Sequence, residues 1–286
     1  MSDKTKIEWT DASWNPVTGC GKVSAGCDHC YAETIAHRFA GTPAYPGGFK
    51  VTLRPERLDQ PLHWQRPRRV FVNSMSDLFH AAIPDEYIAR VFAVMALAPH
   101  HTFQVLTKRP GRMRSLLRTP TFWHVVAEQG RAHHIGDAHG WLAVAAMLSG
   151  KPLPNVWLGV SAEDQRWAGV RIPLLLDTPA AVRFVSAEPL LGPITFANLS
   201  PHSMLDTLDW LIVGGESGHG ARPMHPDWAR SIRDQCATAG VAFHFKQTGT
   251  VLAREWGCTA AKGGNSSEWP EPFPREFPPT GVRDPA

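Results

Sequence analysis

The sequence predicts an α/β chain folded as a complete or partial (β/α) barrel of six or seven parallel strands. Three observations carry that expectation. Short runs of apolar and β-branched residues recur from Val70 onward: VFVNSMSD (70–77), TFQVLTKRP (102–110), VWLGVSAED (156–164), VRFVSAEP (182–189), WLIVGGESG (210–218) and VAFHFKQTG (241–249). Continuous runs of this kind read as strands buried on both faces. Each run breaks into polar or glycine residues and then into helix-like sequence, mostly at intervals of roughly 25 to 32 residues, the length of a βαβ unit. The tetrapeptide VSAE closes two of the runs, at 160–163 and 185–188.

The elements follow in order. A first strand is expected near Trp14–Thr18, directly before Cys20. After the second, Pro84-Asp85-Glu86 opens a helix with Ile88, Val91, Phe92 and Met95 on one face. The interval 111–155 is longer than its neighbours and reads as a helical insertion, with His133, His134 and His139 as solvated polar positions. Pro226-Asp227 opens a helix carrying Trp228, Ile232 and Cys236 at four-residue spacing before Gly240, which places Cys236 in the core. The barrel should span 1–250, and the proline-rich stretch 251–286 reads as a flexible extension.

Composition narrows the class. With 43% hydrophobic and 19% charged residues, the 286-residue chain has ordinary globular values. No apolar run approaches the ~20 residues of a membrane span, so a soluble protein with no membrane contact is expected. A net charge of +3 and a pI near 8.7 are compatible with an anionic partner but fall short of a dedicated nucleic-acid binder. Eleven tryptophans and 25 prolines suggest a loop-rich protein with aromatic-lined grooves. Five cysteines, an odd number, together with a polar start, MSDKTKIEWTD, point away from disulfides and secretion, toward reduced thiols in the cytoplasm.

Cys20, Cys27 and Cys30 crowd into the run NPVTGCGKVSAGCDHCYAE. Thiolates are soft, strong ligands, and three on one loop can converge on a metal or iron–sulfur group. A fourth ligand from His29, His37 or His80 would close a structural zinc site; without one, a position stays open for chemistry. In a β/α barrel the carboxyl ends of the strands build the site. Here those ends are polar: Asn73, Ser74, Ser76 and Asp77; Lys108 and Arg109; Ser161 and Glu163; Ser186 and Glu188; Gly214 to Gly218; Lys246 and Gln247. Lys108, Arg109, Arg222 and Lys246 are rim cations suited to a phosphate or carboxylate, or to surface ion pairs. Glu188 and Lys108 are the catalytic candidates, Glu188 as a substrate-facing acid or base or as an orienter of a neighbouring loop.

A three-cysteine loop after the first strand of a β/α barrel resembles the radical S-adenosylmethionine enzymes. More specifically, seven blocks in order resemble a phage- and bacteria-associated, radical-SAM-like family with a three-Cys motif: 5–33, VNSMSDLFH (72–80), LTKRP (106–110), NVWLGVSAED (155–164), RFVSAEPLLGPI (183–194), WLIVGGESG (210–218) and FHFKQTG (243–249). The resemblance implies a 4Fe-4S cluster on Cys20, Cys27 and Cys30, with Tyr31 or His29 packed beside it. It implies S-adenosylmethionine on the open iron, cleaved to a 5′-deoxyadenosyl radical. Asn73, Ser74, Ser76 and Asp77 would grip the methionine amino group and Ser161 and Glu163 the ribose hydroxyls, while Gly214, Gly215 and Gly218 would let the backbone approach adenine or substrate, or form an ordinary tight turn, with Glu216 of the same turn counted among the cofactor-binding residues. The spacing here is Cys-x6-Cys-x2-Cys where the superfamily usually has Cys-x3-Cys-x2-Cys, and the Gly-Gly-Glu usual after the second strand stands four strands later. The resemblance also implies a three-Cys-motif partner protein. An aromatic and basic rim admits a nucleic acid, a peptide or a modified nucleobase as substrate. The competing expectation is a non-catalytic zinc- or cluster-bearing binding module, or a subunit whose activity resides in its partner.

Overall fold

A computed structural model of the chain describes residue 5 and residues 7–132, 145, 148, 151–196 and 207–279. Nine strands are assigned among them: β1 (Ala12–Trp14), β2 (Val17–Thr18), β3 (Thr52–Leu53), β4 (Arg69–Val72), β5 (Thr102–Thr107), β6 (Val156–Ser161), β7 (Val182–Ala187), β8 (Trp210–Gly214) and β9 (Ala242–Gln247). Seven form one sheet in the order β1-β4-β5-β6-β7-β8-β9, every neighbouring pair parallel. The sheet curls into a half-barrel with β1 and β9 at its ends. The expected first strand is split. Pro16 has no N–H to give a ladder, so the chain leaves the sheet after Trp14, and Val17–Thr18 pairs antiparallel with Thr52–Leu53 instead.

Strand alternation divides the apolar residues between two cores. Val70, Val72, Phe103, Val105, Leu158, Val160, Val185, Leu211, Val213, Phe243 and Phe245 join the core beneath the helices. Phe71, Trp157, Phe184, Trp210 and Ile212 meet Trp9 in a separate, concave core inside the half-barrel.

Among the described residues the α-helices are α1 (Tyr31–Arg38), α2 (Asp85–Leu97), α3 (Pro110–Leu117), α4 (Pro120–Ala132), α5 (Gln165–Leu176), α6 (Pro226–Ala239) and α7 (Thr250–Glu255). On α2 the expected face of Ile88, Val91, Phe92 and Met95 is buried, and Phe92 meets Phe122 and Trp123 of α4 edge-on at 5.7 and 5.6 Å. Of the expected insertion, α3 and α4 occupy 110–132; His133, His134 and His139 lie outside the described residues. On α6, Ala229, Ile232 and Cys236 are buried, and Gly240 ends the helix at φ 67°, a left-handed position that glycine takes without strain. Burial pushes the Cys236 thiol up to about 12, so it is an inert core group. Among the described residues no helix is long and apolar enough to cross a membrane.

The expected flexible extension is packed as far as residue 279. Phe273 stacks on Phe245 at 4.3 Å, and Trp269 meets the same ring at 4.9 Å. Phe245 N donates to Pro274 O and Glu276 N to Phe243 O, both at 2.9 Å, so this segment covers the free edge of β9. Phe277 then enters the concave core, 5.2 Å from Trp210 and 5.3 Å from His244, under the Arg69 guanidinium at 4.1 Å. Arg275 pairs with Glu8 at 2.9 Å. Proline richness reflects an extended covering strap here, because extended backbone suits proline. Phe277→Ala should lower unfolding free energy in urea by about 1–2 kcal/mol, part of the value of a fully buried phenylalanine. A change within about 0.5 kcal/mol, the range of ordinary surface substitutions, would show that the ring does not seal the barrel.

Candidate functional site at the mouth of the half-barrel

The turn after β4 is built to hold the start of the cysteine loop. Asn73 takes a left-handed conformation at φ 60°, its N–H donating to Trp14 O at 2.7 Å and its Oδ1 accepting from Val17 N at 3.3 Å. Ser74 Oγ exchanges hydrogen bonds with the Asn15 side chain, whose Oδ1 also accepts from Met75 N at 2.9 Å. Ser76 Oγ donates to Val17 O at 3.0 Å, and Gly19 N donates to Met75 O at 3.0 Å. Asp77 ties β4 to β5: its carboxylate accepts from Phe79 N, Thr107 Oγ1 and Lys108 N at 3.0, 2.7 and 3.0 Å. The four residues expected to grip an amino group thus spend these side-chain bonds on the scaffold. Among the described residues the buried Asn73 Nδ2 has no partner, and a donor of that kind fits a carboxylate rather than an ammonium.

The cysteine loop leaves this staple and crosses the mouth. Arg109, beyond β5, donates from Nη2 to Gly21 O at 3.0 Å. Ser24 Oγ donates to Glu163 Oε1, beyond β6, at 2.9 Å. Arg222, beyond β8, donates to Ala25 O at 2.8 Å and reaches Asp28 Oδ2 at 3.3 Å. A side chain at Gly26 would put its Cβ 2.2 Å from Glu163 Oε1, so the loop lies against that carboxylate because the residue is glycine. Cys30 stands directly before α1, which turns Ala32 and Ala36 inward. Tyr31 exposes its ring but donates its hydroxyl to Ser74 O at 2.5 Å, and desolvation there pushes the phenol well above its ordinary value.

Charged side chains stand in matched pairs beneath the loop. Glu163 is fully buried between Arg171 Nη1 at 2.9 Å, Lys108 Nζ at 3.5 Å and Ser24. Burial alone would raise its pKa, but the charges of Lys108 and Arg171 and the hydrogen bonds from Ser24 and Arg171 hold it below the usual carboxylate value. Arg171, itself buried, also donates to Ser161 O at 2.8 Å and lies over the Trp167 ring at 4.2 Å. Ser161 and Ser186 are paired in register and buried. Glu188 binds Lys246 at 2.6 Å, each 18–19% exposed. Gly214 leaves room for Glu188, and a Cβ on Gly215 would fall 2.1 Å from Thr248 O. Glu216 accepts from Arg222 N, Nε and Nη2; burial would raise its pKa, and these bonds hold it low. Sequence reasoning missed Asn15, Ser24 and Arg171. For Arg171 there was a signal, an arginine set within the apolar run 170–176 of α5.

The donor set suits a thiolate-held metal group. Cys20, Cys27 and Cys30 are all free and half-buried on one anchored loop. Burial and the Asp77 charge raise the Cys20 thiol, against the lowering effect of Arg109. As the side chains stand, no three or more His, Cys, Asp or Glu among the described residues are arranged to hold a metal ion, so the thiols must turn toward one another to close on one. His80 lies beside Gly21, its pKa lowered by burial and by Arg109 and Arg112. Its Nδ1 accepts from Ala82 N at 3.1 Å. That bond puts the neutral ring's proton on Nε2, the nitrogen facing the loop, and a protonated nitrogen is no ligand. His29 sits against Gly220, and His37 lies 3.9 Å from Glu33.

No curated protein and no solved structure matches the chain. A family profile, described as "Protein of unknown function (DUF5131)", matches residues 4–269. That span takes in the half-barrel and the cysteine loop, and the chain belongs to the DUF5131 family.

Proposed function

We propose that this protein is a radical-SAM-like iron–sulfur enzyme, with a 4Fe-4S cluster held by Cys20, Cys27 and Cys30 and S-adenosylmethionine bound beside it. The observation that carries the reading is a loop with three free thiols fastened across the carboxyl mouth of a parallel half-barrel. When bound, the cluster supplies the electron that splits the sulfonium of S-adenosylmethionine into methionine and a 5′-deoxyadenosyl radical. The chain's residues bind and orient. Lys246 with Glu188 presents both signs of charge at the mouth, which suits a zwitterionic methionyl group. The unused Nδ2 donor of Asn73 suits its carboxylate. Glu163 serves the cysteine loop rather than a ribose, since both its oxygens are engaged by protein groups. Glu188, ion-paired yet partly accessible, is placed to take or give a proton on a substrate in the mouth.

Anaerobic reconstitution with iron and sulfide tests the reading. The reduced protein should show a 4Fe-4S electron paramagnetic resonance signal that changes when S-adenosylmethionine is added. A cluster signal indifferent to S-adenosylmethionine would favour the cluster-bearing binding module, and zinc uptake with no cluster would favour the zinc module.

A further inference from the structure

Glu216 and Arg222 stand in the sequence as a cofactor turn and a rim cation, and the structure occupies both otherwise. Glu216, 5% exposed at the end of β8, accepts from Arg222 N at 2.8 Å, Nε at 2.9 Å and Nη2 at 2.5 Å. A guanidinium held on two of its nitrogens by one carboxylate has a fixed plane and direction. Its remaining donors reach back 197 and 194 residues, to Ala25 O at 2.8 Å and Asp28 Oδ2 at 3.3 Å. Ala25 and Asp28 flank Cys27, and Cys30 follows two residues later. With Nε, Nη1 and Nη2 all engaged, Arg222 has little left to offer an anion from solution. The Glu216 hydrogen bonds raise its own pKa further, so the clasp is charged at any physiological pH.

The run GCGKVSAGC would be costly to order by itself. It is rich in glycine and small residues, and fixing each backbone unit costs about 1–2 kcal/mol of conformational entropy. Arg109 fixes the Cys20 end through Gly21 O. The Cys27 end closes a local turn, Cys27 N donating to Ser24 O at 2.9 Å and Asp28 N to Ala25 O at 3.1 Å, and among the described residues the Ser24 bond to Glu163 and the Arg222 fork fasten that turn to the barrel.

We propose that Arg222, oriented by Glu216, is a positioning residue that presets the Ala25–Asp28 turn so that Cys27 and Cys30 bind metal together with Cys20. The assignment rests on the reading that these three cysteines form one metal-holding loop. It also gives the displaced Gly-Gly-Glu a role: the glycines admit Glu188 and Thr248 at close range, and the glutamate works through an arginine rather than on a cofactor.

The test uses the full-length reduced protein with two readouts. Cobalt(II) is titrated and followed by its thiolate charge-transfer absorption, and metal-free protein is alkylated with N-ethylmaleimide and analysed cysteine by cysteine by mass spectrometry. R222A should weaken cobalt affinity by about 10- to 100-fold, the usual cost of losing a group that orients ligands. Cys27 and Cys30 should alkylate several-fold faster as the turn loosens, while Cys258, far along the chain, keeps its rate. D28N removes one exposed contact, leaves the core untouched and should shift both readouts in the same direction by a smaller factor; it decides the matter if R222A does not fold. Folded variants with wild-type cobalt affinity and wild-type alkylation rates overturn the proposal. Failure of the wild-type protein to bind cobalt or iron would sink the metal reading instead, and the alkylation pattern would still judge the clasp.

Discussion

Glu163→Ala should cost about 3–5 kcal/mol of unfolding free energy, the range for removing one partner of a buried ion pair. The cost arises mainly from what stays behind. Arg171 is 1% exposed, and without Glu163 its guanidinium would be buried with only the Ser161 carbonyl and the Trp167 face for company. Lys108 and Ser24 lose a partner in the same step. Denaturant titration of Glu163→Ala, Arg171→Met and the double variant measures the coupling. The double variant should be more stable than Glu163→Ala alone, because an apolar side chain leaves no charge stranded; a double variant weaker by the sum of the two would mean that the pair does not act as a unit. The pH dependence has a fixed sign. Because the folded pKa of Glu163 lies below the ordinary 4.5, its contribution is fully present above that pH and is lost as pH falls through the lower folded value. The difference between wild type and Glu163→Gln should therefore be flat near neutrality and shrink in acid.

The strands β4 to β9 were legible because a strand buried on both faces has to be apolar throughout, and the polar break after each run marks the rim. The same logic found the mouth residues as a set. It could not say which of them face a ligand. Asp77, Glu163 and Glu216 look alike in sequence as rim carboxylates, yet each proves to be a strut, and what makes them so is Thr107, Arg171 and Arg222, partners 6 to 30 positions away in the chain. Register was illegible for a similar reason. Only the pairing of Val17 with Leu53 shows that the first strand ends at Trp14. The strap after residue 250 was misread because proline content reports extended backbone equally well whether the chain is solvated or laid along a sheet edge. The aromatic side chains Trp269, Phe273 and Phe277 were the better signal, since a solvated tail has no use for them.

The largest functional effect is expected at the cysteines. Reduced, cluster-loaded protein should cleave S-adenosylmethionine to methionine and 5′-deoxyadenosine, and replacing Cys20, Cys27 and Cys30 together by alanine should abolish cleavage and iron content alike. The fold should survive that change. The three thiols are half-buried on a loop, outside both apolar cores, and the loop's fastenings at Gly21, Ser24, Ala25 and Asp28 use other atoms. The triple variant should accordingly unfold within about 1 kcal/mol of wild type, the range for substitutions away from packed features. That separation gives the comparison its force, because lost cleavage in a protein of unchanged stability traces to the thiols and not to collapse of the mouth. Product formation is read by chromatography, with Glu188→Gln beside it. Glu188, paired with Lys246 and no ligand of the cluster in this reading, should leave cluster content unchanged when replaced, while cleavage slows as the methionyl group loses one of its charged partners. Cleavage that persists in the triple variant would show that the electron does not come through these cysteines. Iron that stays bound to it would place the metal elsewhere in the chain.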